Sequence, residues 1–330
     1  MSSDLINDWF QKKLGYGLIA NDQYGVLKRT AALITASRIT PELLRHRLNV
    51  CRTSAEKLDH IKQAFLDRPI DPLTPWTFFR GMFEGEHRFL SGALTTWDSE
   101  PVLTGDLLTE VFRTVQAWGS KVQTITGKDP MVHLCRTNTV MNRGEGLSGG
   151  DFGLIIQFRQ DLFISLVIQV KLVHNLSAEV HHYVAATDEL QRDTLNRVPN
   201  LGHYLFIRKK FADQSALPPL MRSAHDVVCH MSLAGGNSFP AVRSGIDMAA
   251  YLAFGPGTAM GIGVRTDSPE DAAQVIFAGY PSLANALDRI FVLRLGSELD
   301  YNWDDIVAFE AARSNESTTE IDSNAAFSFG

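Results

Sequence analysis

The chain has 330 residues, enough for one large domain or two ordinary ones with a sizeable core. Its hydrophobic content of 45% and charged content of 21% are typical of a globular protein and argue against a largely disordered one. A net charge of −6 argues against a protein that binds nucleic acid through a basic surface over the whole molecule. It still allows a local basic groove, because net charge describes the whole chain and not one face.

The expected compartment follows from the cysteines and from the apolar runs. Cys51, Cys135 and Cys229 are scattered and odd in number, which favours reduced thiols over a disulfide framework. The first residues contain no apolar run that could serve as a signal peptide. No apolar stretch reaches the roughly 18 residues that a membrane span requires. We therefore expect a cytoplasmic protein without a membrane segment.

Residues 1–103 are predicted to form a helical N-terminal region. Apolar residues are spaced at three and four over 22–39, and a second amphipathic run over 53–67 has Ser54 as its N-cap. No catalytic motif is visible in this region. We expect it to bind a protein partner, to form a homo-oligomer or to cover a sheet.

The middle of the chain alternates helices and strands. Apolar spacing predicts a helix over 104–125, with one stripe made of Leu107, Leu108, Val111, Phe112, Val115 and Trp118. Five further elements are predicted: strands at 131–140, 152–159 and 162–173, a helix at 177–198 with Ser177 as N-cap, and a strand at 203–210. Because the last strand returns through a helix, we expect it to lie parallel to the strand at 162–173.

These elements predict the α/β class, with helices on both sides of the sheet. Helix-covered strands are buried on both faces, which explains why 152–158 and 162–168 do not alternate cleanly. We expect a domain over 104–311 that ends in a mixed α/β extension, with helices predicted at 268–280 and 281–296. The polar segment 312–330 is predicted to be a flexible tail.

Polar residues stand at both ends of the apolar hairpin. Asp151 precedes the strand at 152–159, and Gln169-Val170-Lys171 lies near the end of the partner strand at 162–173. Gln169 and Lys171 should share one face, with Val170 on the other. A two-residue turn at 160–161 would place Asp151 opposite Val170, whereas a three-residue loop or one bulge would place it opposite Gln169. We expect one of the latter two.

Two explanations are open for these polar residues. A structural ion pair between Asp151 and Lys171 would avoid the cost of unpaired charges within a hairpin. The other explanation is a Mg²⁺ site made of oxygen ligands from the Asp151 carboxylate, the Gln169 amide and the Val170 carbonyl. Lys171 would then lie beside the metal, where it could help deprotonate a water or stabilise charge on a phosphate.

This arrangement resembles the PD-(D/E)XK nuclease superfamily, the restriction-endonuclease-like fold. An acid followed by (E/Q)xK on two adjacent strands is its signature, matched here by Asp151 and by Gln169-Val170-Lys171. The order helix-strand-strand-strand-helix-strand, from about 105 to 210, is similar to its core and covers about a third of the chain. There are two departures: Gly150 replaces the proline of the name, and Gln replaces Glu, which removes one negative charge.

The resemblance implies further site residues. Similar nucleases carry a second acid, either shortly before the signature Asp or on the first helix. Glu145 fits the first position and Glu110 the second; we favour Glu145, which lies in the same glycine-rich turn as Asp151. A glutamine on the helix after the signature strand is also common, and Gln191 fills that place, where it would contact metal-bound water or phosphate.

Basic residues and histidines offer substrate contacts. Lys209 and Lys210 end the predicted strand at 203–210, where they would bind a phosphate backbone. His181 and His182 lie in the predicted helix 177–198 and could touch phosphate. Their spacing does not match that of a zinc site.

We therefore expect a Mg²⁺-dependent endonuclease, a phosphodiesterase acting on DNA, with Mn²⁺ as a substitute metal. Nucleases of this superfamily often serve in restriction or anti-phage defence. Two alternatives are open. One is RNA as the substrate. The other is a catalytically inactive nuclease fold that binds a protein partner through its helical N-terminal region.

Overall fold

A computed structural model describes eleven stretches of the chain, namely 73–92, 99–137, 152–174, 176–184, 189–208, 219–241, 245–254, 256, 262–278, 290–295 and 301–313. The helices within them are α1 (Leu73–Gly92), α2 (Glu100–Thr126), α3 (Gln191–Leu195), α4 (Ala224–Ala234), α5 (Met248–Phe254), α6 (Pro269–Ala278) and α7 (303–313). None of these helices combines the length and the apolar character that crossing a bilayer requires.

The strands lie between and after these helices. They are β1 (Val132–Arg136), β2 (Phe152–Arg159), β3 (Leu162–His174), β4 (Ser177–Glu179), β5 (Tyr183–Val184), β6 (Glu189–Leu190), β7 (Gly202–Arg208), β8 (Leu220–Ser223), β9 (Ser238–Phe239), β10 (Ile246–Asp247), β11 (Val264–Thr266) and β12 (Ile290–Leu295).

The described strands form a ten-stranded mixed sheet and a separate β5–β6 pair. The main order is β1-β12-β2-β3-β7-β8-β10, with β11 and β4 also on β3, and β9 on β4. β2 and β3 are antiparallel, whereas β12–β2 and β3–β7 are parallel. The α/β class predicted from the sequence is therefore confirmed.

Helices cover both faces of the sheet. On one face, α1, α2 and α5 place Phe78, Val111 and Leu252 around Ile168 and Phe291. On the other face, α6 is held to β3 by a hydrogen bond that Ser165 Oγ donates to the Ala272 carbonyl at 2.8 Å. β3 is buried on both sides over most of its length for this reason.

Close packing of α1 on α2 depends on two glycines. A Cβ atom at Gly81 would lie 2.6 Å from Val115 Cα, and one at Gly85 would lie 2.6 Å from Val111 Cα. Thr114 Oγ1 donates a hydrogen bond to the Gly81 carbonyl at 2.8 Å across the same contact. Side chains larger than hydrogen would push the helices apart.

Several predicted elements are confirmed within the described stretches. The helix at 104–125 is α2, which begins at Glu100 and therefore crosses the boundary placed at 103/104. The strands at 152–159, 162–173 and 203–210 are β2, β3 and β7, and β7 is parallel to β3 as predicted. Although α1 lies in the predicted N-terminal region, its apolar side chains belong to the core that covers the sheet. Nearly all of the tail 312–330 lies outside the described residues.

The helix predicted over 177–198 is wrong. Among the residues of this range that the structure describes, Gln191–Leu195 is the helical part, and Ser177 begins β4 instead of capping a helix. Ala178 pairs with Val173 of β3 and with Phe239 of β9. The local pattern explains this outcome, since Ala178 and Val180 are buried and Glu179 between them is exposed, which is the period-two alternation of a strand.

The helix predicted over 281–296 is also wrong where the structure describes it. Residues Ile290–Leu295 form β12, which lies between β1 and β2 near the middle of the sheet. The run is rich in β-branched and aromatic residues and is buried on both faces. The C-terminal part of the predicted domain is therefore a component of the sheet, and β1 is not adjacent to β2.

Candidate functional site

The hairpin of β2 and β3 has the register that the sequence predicts. Phe152 pairs with Ile168, and Gln157 pairs with Phe163. A bulge between Gln157 and Arg159 shifts the register by one residue near the turn. Gln169 follows Ile168 on β3, at the end of the hairpin where the described part of β2 begins.

Four of the predicted site residues lie outside the described stretches. They are Asp151, Glu145, Lys209 and Lys210. The described part of the site consists of Gln169, Val170 and Lys171 on β3 and of Gln191 on α3.

Gln169 is a buried amide, with 3% of its surface exposed. Its Nε2 donates a hydrogen bond to the Val170 carbonyl at 2.9 Å. The Val170 side chain is fully buried, and along a strand it points to the opposite face from Gln169. The two oxygens predicted to bind a metal, the amide of Gln169 and the carbonyl of Val170, therefore belong to groups in direct contact.

Gln191 contacts Gln169 from the start of α3. Its Nε2 donates a hydrogen bond to Gln169 Oε1 at 2.8 Å, and 5% of the residue is exposed. The backbone amide of Gln191 donates to the His182 carbonyl at 2.7 Å, which fixes the first turn of α3 against the preceding segment. The structure thus brings together two residues that the family resemblance assigned to one site.

The hydrogen-bond directions in this network are determined by the Val170 carbonyl. A carbonyl only accepts, so the atom of Gln169 beside it is the amide nitrogen. The oxygen of Gln169 then faces Gln191, whose facing atom must also be a nitrogen. The remaining atom, Gln191 Oε1, is buried without a hydrogen-bond partner among the described residues. Such an atom costs about 1–3 kcal/mol, and it can accept from a ligand or a water.

Lys171 lies on the same face as Gln169 and is partly exposed. It is opposite Phe206 of β7, while Gln169 is opposite Tyr204. The rings of Tyr204 and Phe206 stack with centroids 5.7 Å apart. Within the described stretches, the Lys171 ammonium makes no ion pair or hydrogen bond. It is therefore a partly exposed cation beside a stacked aromatic pair.

Other candidates lie elsewhere. Glu110 belongs to α2, which covers the opposite face of the sheet, and its carboxylate pairs with Arg113. His181 and His182 are not on a helix but in the segment between β4 and β5. Nδ1 of His181 is buried without a hydrogen-bond partner in the described part of the chain, and His182 is exposed.

A buried histidine on the other side of the same strands was not predicted. His203 of β7 is opposite Ile168 of β3 and is fully buried. Its Nε2 lies 2.9 Å from the Asn200 carbonyl, and its Nδ1 lies 2.9 Å from the Tyr251 hydroxyl. Burial lowers the pKa of His203 to about 4, despite its hydrogen bond to the Asn200 carbonyl and the nearby Asp226 charge, which raise it. The imidazole is therefore neutral, with Nε2 as donor and Nδ1 as acceptor.

Within the described ranges, no group of three or more His, Cys, Asp and Glu side chains could hold a metal ion. Because Asp151 and Glu145 lie outside these ranges, this finding does not bear on the predicted Mg²⁺ site. In comparisons with family models, with curated proteins and with solved structures, no match to this chain was found.

Proposed function

We propose that the chain is a Mg²⁺-dependent endonuclease that hydrolyses phosphodiester bonds of DNA, built on a restriction-endonuclease-like core. The observation that carries the proposal is the hydrogen bond between Gln191 and Gln169. It joins the signature strand to the residue predicted to assist it, although the two are 22 positions apart. The antiparallel β2–β3 pair and the parallel β3–β7 pair are the strand relations predicted for this core.

The described groups fit a small hard cation. Neighbouring oxygen ligands of Mg²⁺, each about 2.1 Å from the metal in octahedral geometry, lie about 3.0 Å from each other. The terminal amide atom of Gln169 and the Val170 carbonyl oxygen are 2.9 Å apart. With the amide turned so that its oxygen faces Val170, the two groups have the separation of adjacent ligands. Asp151 and Glu145 would supply carboxylates, the remaining ligand type that Mg²⁺ prefers.

The cation and the residues around it would then have different roles in the reaction. A bound divalent cation supplies polarisation of the scissile phosphate and a lowered pKa of the attacking water. Lys171 would hold that water by a hydrogen bond and offset the negative charge that develops on the phosphate. Tyr204 and Phe206 exclude solvent beneath the site, which strengthens both interactions.

Substrate binding would use the end of β7. Lys209 and Lys210 directly follow this strand, which is adjacent to β3. Cations placed there would contact phosphates without reading sequence. The part of the predicted helical region that precedes α1 would add a protein partner or a homo-oligomer contact. By analogy with other nucleases of this kind, the biological role would be restriction or anti-phage defence in the cytoplasm.

The test is a plasmid-nicking assay on the purified full chain with Mg²⁺, with Mn²⁺ and with EDTA. We expect nicking with either metal, and none with EDTA. Lys171→Ala should lower the nicking rate about 100-fold or more, in the range of a lost general acid or base. The matched control is Lys128→Ala, an exposed lysine just after α2, which should nick at the wild-type rate.

Three results would redirect the proposal. Equal loss in Lys171→Ala and Lys128→Ala would refute a specific role for Lys171. Digestion of RNA but not DNA in parallel reactions would change the substrate. No cleavage with either metal, together with a stoichiometric protein partner in a pull-down, would favour an inactive nuclease fold that acts as a binding module.

A further inference from the structure

We propose that Gln169 and Gln191 act as a coupled amide switch. In the cation-free protein, Gln191 presents an unpaired acceptor; after a divalent cation binds, it presents a donor to the substrate phosphate. Gln191 is thus a positioning residue that makes phosphate binding follow cation binding. This inference rests on the proposed function, because it concerns the same site.

The cation-free orientation is the one that the structure shows. Gln169 Nε2 donates to the Val170 carbonyl at 2.9 Å, and Gln169 Oε1 accepts from Gln191 Nε2 at 2.8 Å. In this state the Gln169 oxygen faces Gln191 and not Val170. The site is internally hydrogen-bonded at the point where a cation would bind, and the buried Gln191 Oε1 remains without a partner among the described residues.

Cation binding reverses the first amide. The cation needs the oxygen of Gln169 on the side of the Val170 carbonyl, so the terminal amide must turn by about half a rotation. This torsion has a broad, roughly two-fold profile, and the turn moves no backbone atom. Without a cation the turned state is unfavourable, because two oxygens would then face each other 2.9 Å apart.

The second amide must follow the first. Once Gln169 has turned, its nitrogen faces Gln191, whose facing atom is also a nitrogen. Two donors at 2.8 Å cannot both be satisfied, so Gln191 turns as well and accepts from Gln169. Its NH₂ group then occupies the position of the unpaired oxygen. A buried acceptor is thereby converted into a buried donor, which is the group that a phosphate oxygen can bind.

The geometry also gives a reason for glutamine at position 169. A carboxylate there would have no proton to donate to the Val170 carbonyl and would leave two oxygens in contact without a cation. Glutamine satisfies both states by rotation, whereas glutamate satisfies only the cation-bound state. The cation-free protein should therefore be more stable with glutamine than with glutamate.

The first measurement follows the side-chain amide signals of glutamine-labelled protein by NMR during titration with CaCl₂, a cation that binds oxygen ligands. Signals are assigned by their loss in Gln169→Glu and Gln191→Met. We expect the Gln169 and Gln191 signals to change together, with one midpoint. A change at Gln169 with an unaltered Gln191 signal, or no change at either amide, would overturn the inference.

Gln191→Glu separates amide orientation from charge. A carboxylate at 191 can only accept, so Gln169 must turn its nitrogen toward it even without a cation. The Gln169 amide signal of this variant in EDTA should therefore match that of calcium-bound wild type. An unshifted Gln169 signal in a folded Gln191→Glu variant would contradict the coupling.

Thermal unfolding provides a measurement that does not depend on assigning signals. Gln169→Glu should lower Tm by roughly 2–4 °C in EDTA, because it leaves a buried acceptor facing another. Calcium should recover most of that loss. The matched control, Gln116→Glu on the exposed face of α2, should unfold at the wild-type temperature in both conditions. Equal Tm values of Gln169→Glu and wild type in EDTA would count against the switch.

The outcomes also separate this inference from the proposed function. Coupled amide changes in a protein that cleaves no nucleic acid would support the switch and refute the nuclease. Cleavage that requires Lys171, together with Gln169 and Gln191 amide signals that change independently of each other, would support the nuclease and refute the switch.

Discussion

Two buried polar pairs lie on opposite faces of the same two strands, and they differ in how completely they are hydrogen-bonded. His203 and Tyr251 form a pair in which both ring nitrogens of the histidine have partners, at 2.9 Å each. Gln169 and Gln191 form a pair of similar burial, but one amide oxygen has no partner in the described part of the chain.

The difference indicates which pair is structural. A satisfied buried pair stabilises the fold, and its removal leaves orphaned groups. A pair with a free acceptor carries a cost that folding alone does not explain, and such costs are common at binding sites. His203 and Gln169 are one position apart in the β3–β7 ladder, since Ile168 pairs with His203 and Gln169 with Tyr204. Stability and the proposed function can therefore be probed separately at nearly the same place.

The largest expected effect on stability is the pH dependence due to His203. Burial lowers its pKa from 6.5 to about 4. Between these values the unfolded chain binds a proton that the folded chain does not, so acidification favours unfolding. The free energy of unfolding should fall by about 3 kcal/mol from pH 6.5 to pH 4, at about 1.36 kcal/mol per pH unit. Below pH 4 this contribution stays constant.

Chemical denaturation at several pH values would measure this loss for wild type and for His203→Phe. The variant should lack most of the slope between pH 6.5 and pH 4, whereas His225→Asn, at an exposed histidine of α4, should keep it. The same slope in His203→Phe and wild type would show that other groups cause the acid sensitivity.

What the sequence predicts correctly is what local patterns encode. The strands β2, β3 and β7 follow from apolar runs, and the bulged register follows from the polar residues at the ends of the hairpin. Gln191, which the family resemblance assigned to the site, contacts Gln169 even though the helix predicted over 177–198 is wrong. The predicted helix and the observed strands with α3 both place residue 191 just before β7 in the chain, and β7 lies beside β3.

What the sequence fails to predict depends on distant partners. β12 pairs with β1 and β2, and its first residue is 137 positions beyond Gly153, with which it pairs. A short apolar run of this kind fits either a strand or the end of a buried helix, and its distant partners decide between them. The His203–Tyr251 contact joins residues 48 positions apart for the same reason. Asp151 and Glu145 lie outside the described residues.

The second largest expected effect on stability is at the hydrogen-bonded pair of His203 and Tyr251. Tyr251→Phe removes the hydroxyl that donates to His203 Nδ1 and leaves a buried nitrogen without a partner. We expect a loss of about 1–3 kcal/mol in the free energy of unfolding, with the nicking rate unchanged. Denaturant titration and the plasmid assay would measure the two quantities on one preparation. A large loss of activity at full stability would instead link this face of the sheet to catalysis.

The smallest expected effect on stability is at Gln191, where the function is expected to depend on the side chain. Gln191→Met keeps a similar length and removes the unpaired Oε1, but it leaves Gln169 Oε1 without its present donor. One hydrogen bond is lost and one buried unpaired oxygen is removed, so the free energy of unfolding should change by less than about 1 kcal/mol. Plasmid nicking should nevertheless fall at least about 10-fold, because no donor can be presented to the phosphate. Gln116→Met on the exposed face of α2 should change neither quantity. If Gln191→Met cleaves at the wild-type rate, the unpaired oxygen of Gln191 has no role in cleavage. The difference in hydrogen bonding between the His203–Tyr251 and Gln169–Gln191 pairs would then not be related to function.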